Sequence, residues 1–447
     1  MKMKKITIIG TGYVGLVSGT GFADIGHQVI CADVDEDKIA KLNSGIIPIY
    51  EPGLQELVQR NRKAGRLAFT NNMTEAIQSS DILFIAVGTP MLPSGEADLR
   101  YVRSAAEMIG EAMNGYKIVV NKSTVPVGTG RLVREIIQRK ASEKGIRFDV
   151  VSNPEFLREG TAIDDFFHME RVVIGSESPS AIRELIEVHE PLQTTVVQTD
   201  LETAEMIKYA SNAFLAMKIS FINDISNLCE KVGANVVDLS YGLGLDSRIG
   251  SKFLNPGIGF GGSCFPKDTE ALLAIAKQVD HPFKLMESVI ETNKQQPLRF
   301  VKKIEEELGT LASRKIAVLG LAFKPGTDDM RSAPSIQIIR SLAEKKAAVK
   351  AFDPVAIDNA KKYFSDLPEI QYSTDIYQTI EGCEACVILT EWQEVVSVDL
   401  SRVKQALARP IIIDGRNIFA LSEMEAHGFI YVSMGRPKVN AGTASHV

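Results

Sequence analysis

Short hydrophobic runs that end in glycine or polar residues recur along the first 200 residues of the chain. They are residues 5–9, 28–33, 82–87, 117–120, 148–151, 171–174 and 194–197. Apolar runs of this length are typical of strands in a parallel sheet whose two faces are covered by helices. The pattern therefore predicts a doubly wound α/β domain, which we place at residues 1–200.

The same pattern returns later in the chain, at residues 315–319, 348–352, 385–389 and 410–413. We predict a second domain of this kind at residues 301–435. Beyond it, a Gly-, Ser- and Asn-containing tail at 436–447 should be flexible. The predicted fold class is α/β, with two Rossmann-like doubly wound domains joined by a long central helix.

That helix is predicted at residues 201–232, which contain neither Pro nor Gly. Apolar residues recur there at helical spacing, at Ile207, Ala210, Phe214, Met217, Phe221, Ile225, Leu228 and Val232. A helix of this length is about 45 Å long, enough to bridge two domains or to form the core of a dimer. We assign residues 201–300 to a central helical domain.

Lys208 and Asn212 lie one turn apart near the start of this helix. A solvated lysine is the ordinary alternative. On a helix so rich in apolar residues, however, an inward-facing lysine is expected to serve a site.

The first strand-like run leads into a glycine turn, Gly10-Thr-Gly-Tyr-Val-Gly15, and then into a helix-compatible segment. Glycines in this order allow a tight turn, close approach of a pyrophosphate to Gly12, Tyr13 and Val14, and packing of helix on strand. Asp33 ends the second run, 18 residues after Gly15. A carboxylate there binds both ribose hydroxyls of NAD and repels the 2′-phosphate of NADP, so the cofactor is predicted to be NAD. Lys38 is either an adenosine contact or a solvated helix lysine.

Thr89, Thr124 and Glu155 each follow a predicted strand of the first domain. Ligands of open parallel sheets bind beyond the carboxyl ends of the strands. We therefore expect these three side chains to face the reactive end of the cofactor, although each is also a common cap residue.

A second candidate site is the stretch from Gly259 to Asp268, which reads Gly-Phe-Gly-Gly-Ser-Cys-Phe-Pro-Lys-Asp. Its glycines permit positive φ and close approach of a ligand, and Pro266 precedes a predicted helix start. Cys264 thus lies beside a lysine and a helix N-terminus, both of which favour a thiolate nucleophile. The alternative is a buried structural cysteine in a glycine-rich turn.

Composition excludes several other classes of function. The 447 residues carry a net charge of -6 and a pI near 5.7, which argues against a nucleic-acid partner. No apolar run is long enough to span a membrane. Five scattered cysteines fit a reducing cytoplasm, and Cys383 and Cys386 lack a second ligand pair, so we predict no metal.

In the second domain the first strand is followed by Gly320-Leu-Ala-Phe-Lys324, without the three-glycine turn. Asp353, which ends the next strand, should therefore not bind a dinucleotide ribose. This domain should bind a different nucleotide.

Six stretches together resemble the UDP-glucose/GDP-mannose dehydrogenase family. They are the glycine turn, residues 123–128, residues 153–160, Lys208 with Asn212, residues 259–268 and residues 323–329. The resemblance covers nearly the whole chain in order. It implies NAD on the N-terminal domain, UDP on the C-terminal domain and the sugar between them.

The resemblance also implies the roles of single residues. Oxidation of UDP-glucose to UDP-glucuronate would remove two hydrides, with Cys264 forming a thiohemiacetal and then a thioester. Lys208 and Asn212 would stabilise the oxyanion, Asp268 and Thr124 would hold a water for proton transfer, and Glu155 would assist thioester hydrolysis.

Further contacts follow from the same resemblance. Those to the UDP-sugar would come from Glu155, Phe156, Leu157, Arg158, Glu159, Lys208, Asn212, Phe253, Leu254, Asn255, Pro256, Gly257, Gly261 and Lys324. Those to NAD would come from Gly10, Gly12, Tyr13, Val14, Gly15, Asp33, Lys38, Thr89, Thr124, Glu159, Lys267 and Arg331. Arg248 would reach the sugar nucleotide across the interface of a homodimer.

Several alternatives stay open at this point. The substrate could be a UDP-N-acetylhexosamine, with mannosamine or glucosamine as the sugar. A noncatalytic nucleotide sensor would not need Cys264, Lys208 and Asp268 together, and a single-hydride dehydrogenase needs no thiol. The number of NADH released per substrate separates these classes.

Overall fold

The structure is a computed structural model and describes residues 3–440. The chain forms two compact units. The first extends to Ser211 and includes Glu270–His281, and the second comprises Asn212–Thr269 and the chain from Pro282 onward. The predicted central domain at 201–300 is thus divided between the two units.

The first unit is built on an eight-stranded sheet with the order β3-β2-β1-β4-β5-β6-β7-β8. Its strands are β1 (Lys5–Ile9), β2 (Gln28–Ala32), β3 (Leu67–Thr70), β4 (Ile82–Ile85), β5 (Lys117–Asn121), β6 (Phe148–Ser152), β7 (Arg171–Gly175) and β8 (Thr195–Thr199). Neighbours pair in parallel except β6 and β7, which meet antiparallel at Ser152 and Gly175.

Helices cover both faces of this sheet, because successive apolar side chains of a strand point to opposite sides. Ile6 and Ile8 belong to one hydrophobic core and Ile9 to the other. The helices are α1 (Tyr13–Asp24), α2 (Glu36–Asn43), α3 (Leu54–Lys63), α4 (Met73–Ser79), α5 (Arg100–Ala112), α6 (Thr129–Lys144), α7 (Ala162–Phe167) and α8 (Pro179–His189), with a 3₁₀ turn at Glu190–Leu192.

The long helix α9 spans Leu201–Val232, as the apolar spacing predicted. It is followed by α10 (Val236–Gly244), α11 (Phe265–Gln278) and α12 (Lys284–Leu308). Phe214, Phe221 and Leu228, seven residues apart on α9, are each more than half exposed. Part of the predicted apolar stripe is therefore surface rather than core within one chain.

The second unit contains a six-stranded, all-parallel sheet with the order β11-β10-β9-β12-β13-β14. Its strands are β9 (Lys315–Leu319), β10 (Ala348–Phe352), β11 (Gln371–Ser373), β12 (Ala385–Ile388), β13 (Ile411–Asp414) and β14 (Ile430–Ser433). Its helices are α13 (Pro334–Glu344), α14 (Ile357–Tyr363), α15 (Ile376–Ile380), α16 (Gln393–Val396), α17 (Leu400–Ala406) and α18 (Leu421–His427). The predicted fold class, two α/β domains with a long central helix, is confirmed.

The start of the predicted flexible tail is held in place, which corrects that prediction for residues 436–439. Arg436 is buried and donates hydrogen bonds to the carbonyl of Phe419 and the hydroxyl of Tyr431. The backbone of Val439 pairs with that of Tyr431. The Arg436 guanidinium also attracts the buried carboxylate of Asp414, which accepts a hydrogen bond from the Tyr431 hydroxyl. The apolar periodicity of the sequence does not reveal these polar contacts. Residues 441–447 lie outside the described part of the chain.

Cys383 and Cys386 are buried and unpaired by disulfide, and burial raises the pKa of both thiols. The Cys383 thiol donates to the carbonyl of Thr379 within its own unit. Within residues 3–440, none of the helices is both long and apolar enough to cross a membrane.

Candidate active site

The glycine turn between β1 and α1 leaves the N-terminus of α1 open. A Cβ at Gly10, whose φ is +104°, would lie 2.7 Å from the carbonyl oxygen of Ala86, and one at Gly15 would lie 1.9 Å from that of Gly10. A Cβ at Gly12 would meet no atom within 4 Å. Gly10 and Gly15 are thus required by packing, whereas Gly12 borders open space at the helix N-terminus, where a pyrophosphate is favoured.

Asp33 lies directly beside this turn. Its carboxylate accepts hydrogen bonds from the backbone and hydroxyl of Thr11, both at 2.8 Å, and from the backbone of Asp35. The ammonium of Lys38 lies 3.0 Å from the same carboxylate. Burial acts to raise the pKa of Asp33, but these donors outweigh burial and lower it. A negative charge is therefore held next to the open helix N-terminus, where the sequence predicted an NAD ribose.

Thr89 and Thr124 are joined at the carboxyl ends of β4 and β5. The hydroxyl of Thr89 donates to the carbonyl of Thr124 at 2.8 Å. Ser123 donates in the same way to the carbonyl of Val87 at 2.8 Å. The two strand ends are thus tied together where the sequence predicted the reactive end of the cofactor.

Glu155 and Lys208 form a buried ion pair in the first unit. The Lys208 ammonium lies 3.1 Å from the Glu155 carboxylate, and both side chains are at least nine-tenths buried. Glu155 also accepts the backbone N–H of Leu157 at 2.6 Å. Lys208 and Arg171 both lie over the ring of Phe156. Lys208 points inward, as predicted. A buried ion pair is costly to form because both charges lose their hydration, and such pairs are typical of functional sites.

The rest of the 153–160 stretch is anchored by a residue that the sequence analysis missed. Glu51 is buried and accepts hydrogen bonds from the Tyr13 hydroxyl and from the backbone N–H groups of Gly160 and Ala162, the last two at 2.7 Å. Arg158 pairs with Asp165 at the surface. Glu51 therefore links the glycine turn to this stretch, although it carries no local motif that could have identified it.

Lys122 was also missed, although it follows the wholly buried strand β5. Its ammonium donates to the side-chain oxygen of Asn153 at 3.1 Å. Burial lowers the pKa of Lys122 to about 8, against the attraction of Glu155. A lysine directly after a buried apolar run was the available sequence signal.

In the second unit, Cys264 immediately precedes α11. The N–H of Asp268 donates to the Cys264 carbonyl at 2.8 Å, which closes the first helical turn. The thiol is partly exposed and lies 3.6 Å from the Ser263 hydroxyl. The positive end of a helix dipole favours negative charge at this position.

Asp268 is 1% exposed, and its two carboxylate oxygens have different partners. Asn212 donates to one oxygen and Lys267 to the other, both at 2.6 Å. Asn212, Lys267 and Asp268 are thus brought together one helical turn from Cys264. Lys267 is predicted to contact NAD and is here an ion-pair partner of Asp268.

The glycine loop before Cys264 is fixed by close backbone packing. Gly262 has a φ of +85° and donates its N–H to the carbonyl of Arg331, and a Cβ at Gly261 would lie 2.4 Å from the carbonyl oxygen of Ser332. Asn293 of α12 bonds both the N–H and the carbonyl of Phe260. Asn293, also missed by sequence reasoning, therefore sets the course of the loop.

The remaining predicted substrate segment, 253–257, belongs to the same unit. Phe253 has a φ of +66°, rare for an aromatic residue, and its ring contacts that of Phe265. Leu254, Pro256 and Gly257 are buried and Asn255 is exposed.

The N–H of Gly257 donates to the side-chain oxygen of Asn223, and Gln296 donates to the Gly257 carbonyl. This segment is thus held by side chains of α9 and α12.

Three predicted cations of the second unit have different surroundings. Lys324 is half-buried over the ring of Phe323. Arg331 and Arg248 are exposed and pair with Asp329 and Asp246 two residues before each. Arg248 is 87% exposed, so it is available to a partner.

Models of one family match three consecutive parts of the chain. They describe the NAD-binding domain (residues 4–193), the central domain (residues 202–295) and the UDP-binding domain (residues 317–421) of the UDP-glucose/GDP-mannose dehydrogenase family.

Known proteins are similar over almost the full length. The chain is 59% identical to the UDP-glucose 6-dehydrogenase TuaD of Bacillus subtilis (strain 168), over 98% of this chain and 94% of that one. It is 49% identical to the UDP-glucose 6-dehydrogenase of Rhizobium meliloti (strain 1021), over 97% and 100%. A solved UDP-glucose dehydrogenase from Pyrobaculum islandicum is 38% identical with a TM-score of 0.91, and the similarity covers 98% of each chain. The chain therefore belongs to the UDP-glucose/GDP-mannose dehydrogenase family.

Proposed function

We propose that the protein is an NAD-dependent UDP-glucose 6-dehydrogenase, which oxidises the C6 alcohol of UDP-glucose to the carboxylate of UDP-glucuronate. The observation that carries the proposal is Cys264, placed at the start of α11 behind a packed glycine loop and one turn before the buried Asp268. The names of relatives at 45–59% identity support the same substrate.

Oxidation of a primary alcohol to a carboxylate removes two hydrides, and NAD⁺, when bound, accepts one hydride in each of the two oxidations. Gly12 and Asp33 would hold its pyrophosphate and adenosine ribose. The open space at Gly12 and the ionised Asp33 fit this cofactor.

Cys264 retains the intermediate between the two oxidations. Its thiolate adds to the C6 aldehyde, and the new S–C bond gives a thiohemiacetal. Loss of the second hydride leaves a thioester. Water then adds to the thioester carbonyl, the S–C bond breaks, and the carboxylate and the free thiol are formed.

The buried charged groups serve the oxygen and proton transfers. Lys208 and Asn212 stabilise the negative oxygen that develops at C6 in each step. Asp268 and Thr124 hold the water that takes up the alcohol proton, and Glu155 accepts a proton from the water that cleaves the thioester. The ion pair of Lys208 with Glu155 and the hydrogen bond of Asn212 to Asp268 support these assignments, because each keeps its donor oriented.

The proposed partner is a second copy of the chain that receives Arg248. Exposed apolar residues on two stretches of the second unit support this dimer. They are Phe214, Phe221 and Leu228 of α9, and Tyr241, Leu245 and Ile249 in and after α10. Arg248 lies beside Leu245 and Ile249. Several large apolar side chains exposed on one unit are typical of an interface.

Mixing two impaired variants, at a UDP-glucose concentration where each alone is nearly inactive, tests the donated arginine. After subunit exchange, Arg248→Ala mixed with Cys264→Ala should regain activity, because one site of each heterodimer then has both residues. Arg248→Ala alone should raise the KM for UDP-glucose and leave NAD binding nearly unchanged. A monomer in sedimentation, or no gain on mixing, would rule out the donated arginine.

The substrate is tested by measuring NADH release with UDP-glucose, UDP-N-acetylmannosamine, UDP-N-acetylglucosamine and GDP-mannose. We expect the highest kcat/KM with UDP-glucose. A higher value with any of the other three sugars would replace the proposed substrate.

A further inference from the structure

Behind the proposed catalytic residues of the first unit lies a cavity of about 10 Å³, which has room for the centre of one water molecule. Its walls are mostly polar. The polar residues that line it are Asn121, Ser123, Thr124, Ser152, Glu205 and Lys208. A cavity of this size and polarity is where a buried water is expected.

Asn121, the last residue of β5, points to such a water independently. It is 2% exposed, and neither its side-chain nitrogen nor its side-chain oxygen has a hydrogen-bond partner among residues 3–440. Leaving both polar atoms of a buried amide without hydrogen-bond partners is unfavourable. One water in the cavity satisfies part of this amide, whichever way it is turned.

Glu205 faces the same cavity from α9, three residues before Lys208. Its carboxyl group accepts the N–H groups of Gly128 and Gly130, both at 2.7 Å, and the Ser152 hydroxyl at 3.0 Å. Burial raises the pKa of Glu205 to about 7 against these hydrogen bonds. The group is therefore mostly ionised at mildly alkaline pH.

The charges around Lys208 explain why an ionised Glu205 matters. Lys208 and Lys122 are both buried and repel each other, and the carboxylate of Glu155 attracts both. Arg171, over the same Phe156 ring as Lys208, adds further positive charge. An ionised carboxylate at Glu205, on the same helix as Lys208, would offset the repulsion among these cations.

We propose that Glu205 is a positioning residue that keeps Lys208 in its ammonium form, and that it acts through one water molecule held by Asn121 in this cavity. The inference rests on the proposed function, because it gives Lys208 the task of stabilising the oxyanion. It adds two residues, Asn121 and Glu205, that do not touch the substrate.

The test is the pH dependence of kcat for UDP-glucose oxidation in the full-length protein. Glu205→Gln removes the charge with little change in shape. The alkaline limb of the profile, where the Lys208 ammonium is lost, should then move down by about one pH unit, which is about 1.4 kcal/mol. Asn121→Leu should move it in the same direction by about half as much. The double variant should shift the alkaline limb as far as Glu205→Gln alone, because both substitutions break the same water-mediated connection between Glu205 and Lys208.

Glu202→Gln is the matched control on the same helix. Glu202 pairs with Arg131 near the surface and does not line the cavity. Glu202 repels the carboxylate of Glu205, so its removal favours ionised Glu205 and should not move the alkaline limb down; we expect a shift of at most about 0.2 pH unit. A loss of helix stability alone would lower kcat at every pH without moving the limb.

Two outcomes overturn the inference. One is an alkaline limb of Glu205→Gln within about 0.2 pH unit of wild type. The other is a high-resolution crystal structure of the wild-type protein without a water in hydrogen-bond distance of Asn121, which decides the question even where a variant fails to fold. Wild-type release of two NADH per UDP-glucose supports the proposed function separately, so the two can fail independently.

Discussion

The two sheets of the molecule begin in the same way and then diverge. In each, a glycine with positive φ ends the first strand and donates its N–H to the end of the second, Gly10 to Ala32 and Gly320 to Phe352. A Cβ would clash at either glycine. The glycine that both units share is therefore required by the turn at the end of the first strand, and it is not in itself a sign of nucleotide recognition.

The acids that follow the second strands show where the two units differ. Asp33 is 8% exposed and lies beside an open helix N-terminus. Asp353 is fully buried. It accepts hydrogen bonds from the N–H groups of Leu321, Ala322, Val355 and Ala356 and from the ring of Trp392.

Both carboxylate oxygens of Asp353 are thus occupied by protein donors, whereas Asp33 lies beside the open helix N-terminus where we propose that NAD binds. After Gly320 the chain runs to Pro334 before the next helix starts, so no helix begins directly after β9. The glycine at the end of the first strand therefore does not by itself indicate a dinucleotide site in this fold, because the second unit has that glycine without a helix that starts directly after it.

The largest expected effect concerns Asp353. Asp353→Asn turns an amide N–H₂ toward backbone donors and should destabilise the second unit by about 3 kcal/mol or more. Trp392, the single tryptophan of the chain, bonds directly to Asp353, so urea unfolding followed by its fluorescence measures the loss. The Kd for NAD should not change, because Asp353 is not expected to contact the cofactor. A higher Kd for NAD would show that Asp353 contributes to NAD binding.

Gly12→Val should have the opposite signature. Its side chain enters open space, and the φ of -73° at Gly12 suits any residue, so the fold should tolerate it. The added methyl groups occupy the place of the pyrophosphate, and the Kd for NAD should rise about 100-fold, or about 2.7 kcal/mol. Isothermal titration measures this, with Gly115→Val, also in open space but far from the turn, as the control. Unchanged NAD affinity would show that the pyrophosphate of NAD does not bind at the glycine turn.

Acid should weaken the first unit through His189. Burial lowers the pKa of His189 to about 3, so its contribution to stability is present above pH 6.5 and is lost as the pH falls toward 3. Between pH 6.5 and 5 this amounts to about 2 kcal/mol. Glu205, with its raised pKa, acts in the opposite direction. The effect is therefore measured by hydrogen exchange of β1 at pH 6.5 and pH 5, as the difference between wild type and His189→Gln.

The same experiment on His427→Gln is the control, because His427 lies in the second unit and is only partly buried. Its exchange should follow wild type at both pH values. Equal pH dependence in wild type and His189→Gln would mean that His189 is protonated in the fold.

The smallest expected effect is on cofactor choice. Asp33 should favour NAD over NADP by at least about tenfold, or about 1.4 kcal/mol. Asp33→Asn should reduce this ratio toward one, while Asp353→Asn should leave it unchanged. Initial rates with both cofactors at subsaturating concentration give the ratio. Equal use of NAD and NADP by the wild type would contradict the assignment.

Most of the architecture could be predicted from sequence because the central strands are buried on both faces and read as unbroken apolar runs. The strands β3, β11 and β14 were not predicted. They lie at or near sheet edges, and Leu67–Thr70 and Gln371–Ser373 are short and partly exposed, so they carry little periodic signal. The long helix was predicted because it contains neither Pro nor Gly over 32 residues.

The candidate site divides along similar lines. Residues in local motifs, such as Cys264 and Asp33, could be proposed from the chain alone. Glu51, Glu205 and Asn293 could not, because each acts on backbone groups distant in sequence. Their roles exist only once the fold brings those groups to them.

The measurement that tests the account most directly is the number of NADH molecules released per UDP-glucose consumed. The wild-type protein should release two, because Cys264 holds the aldehyde for the second oxidation. Cys264→Ser should stop after the aldehyde or accumulate a slowly hydrolysed ester, since a hydroxyl needs a far stronger base. One NADH per UDP-glucose from the wild type, or two from Cys264→Ser with unimpaired turnover, would contradict the thiol-dependent mechanism.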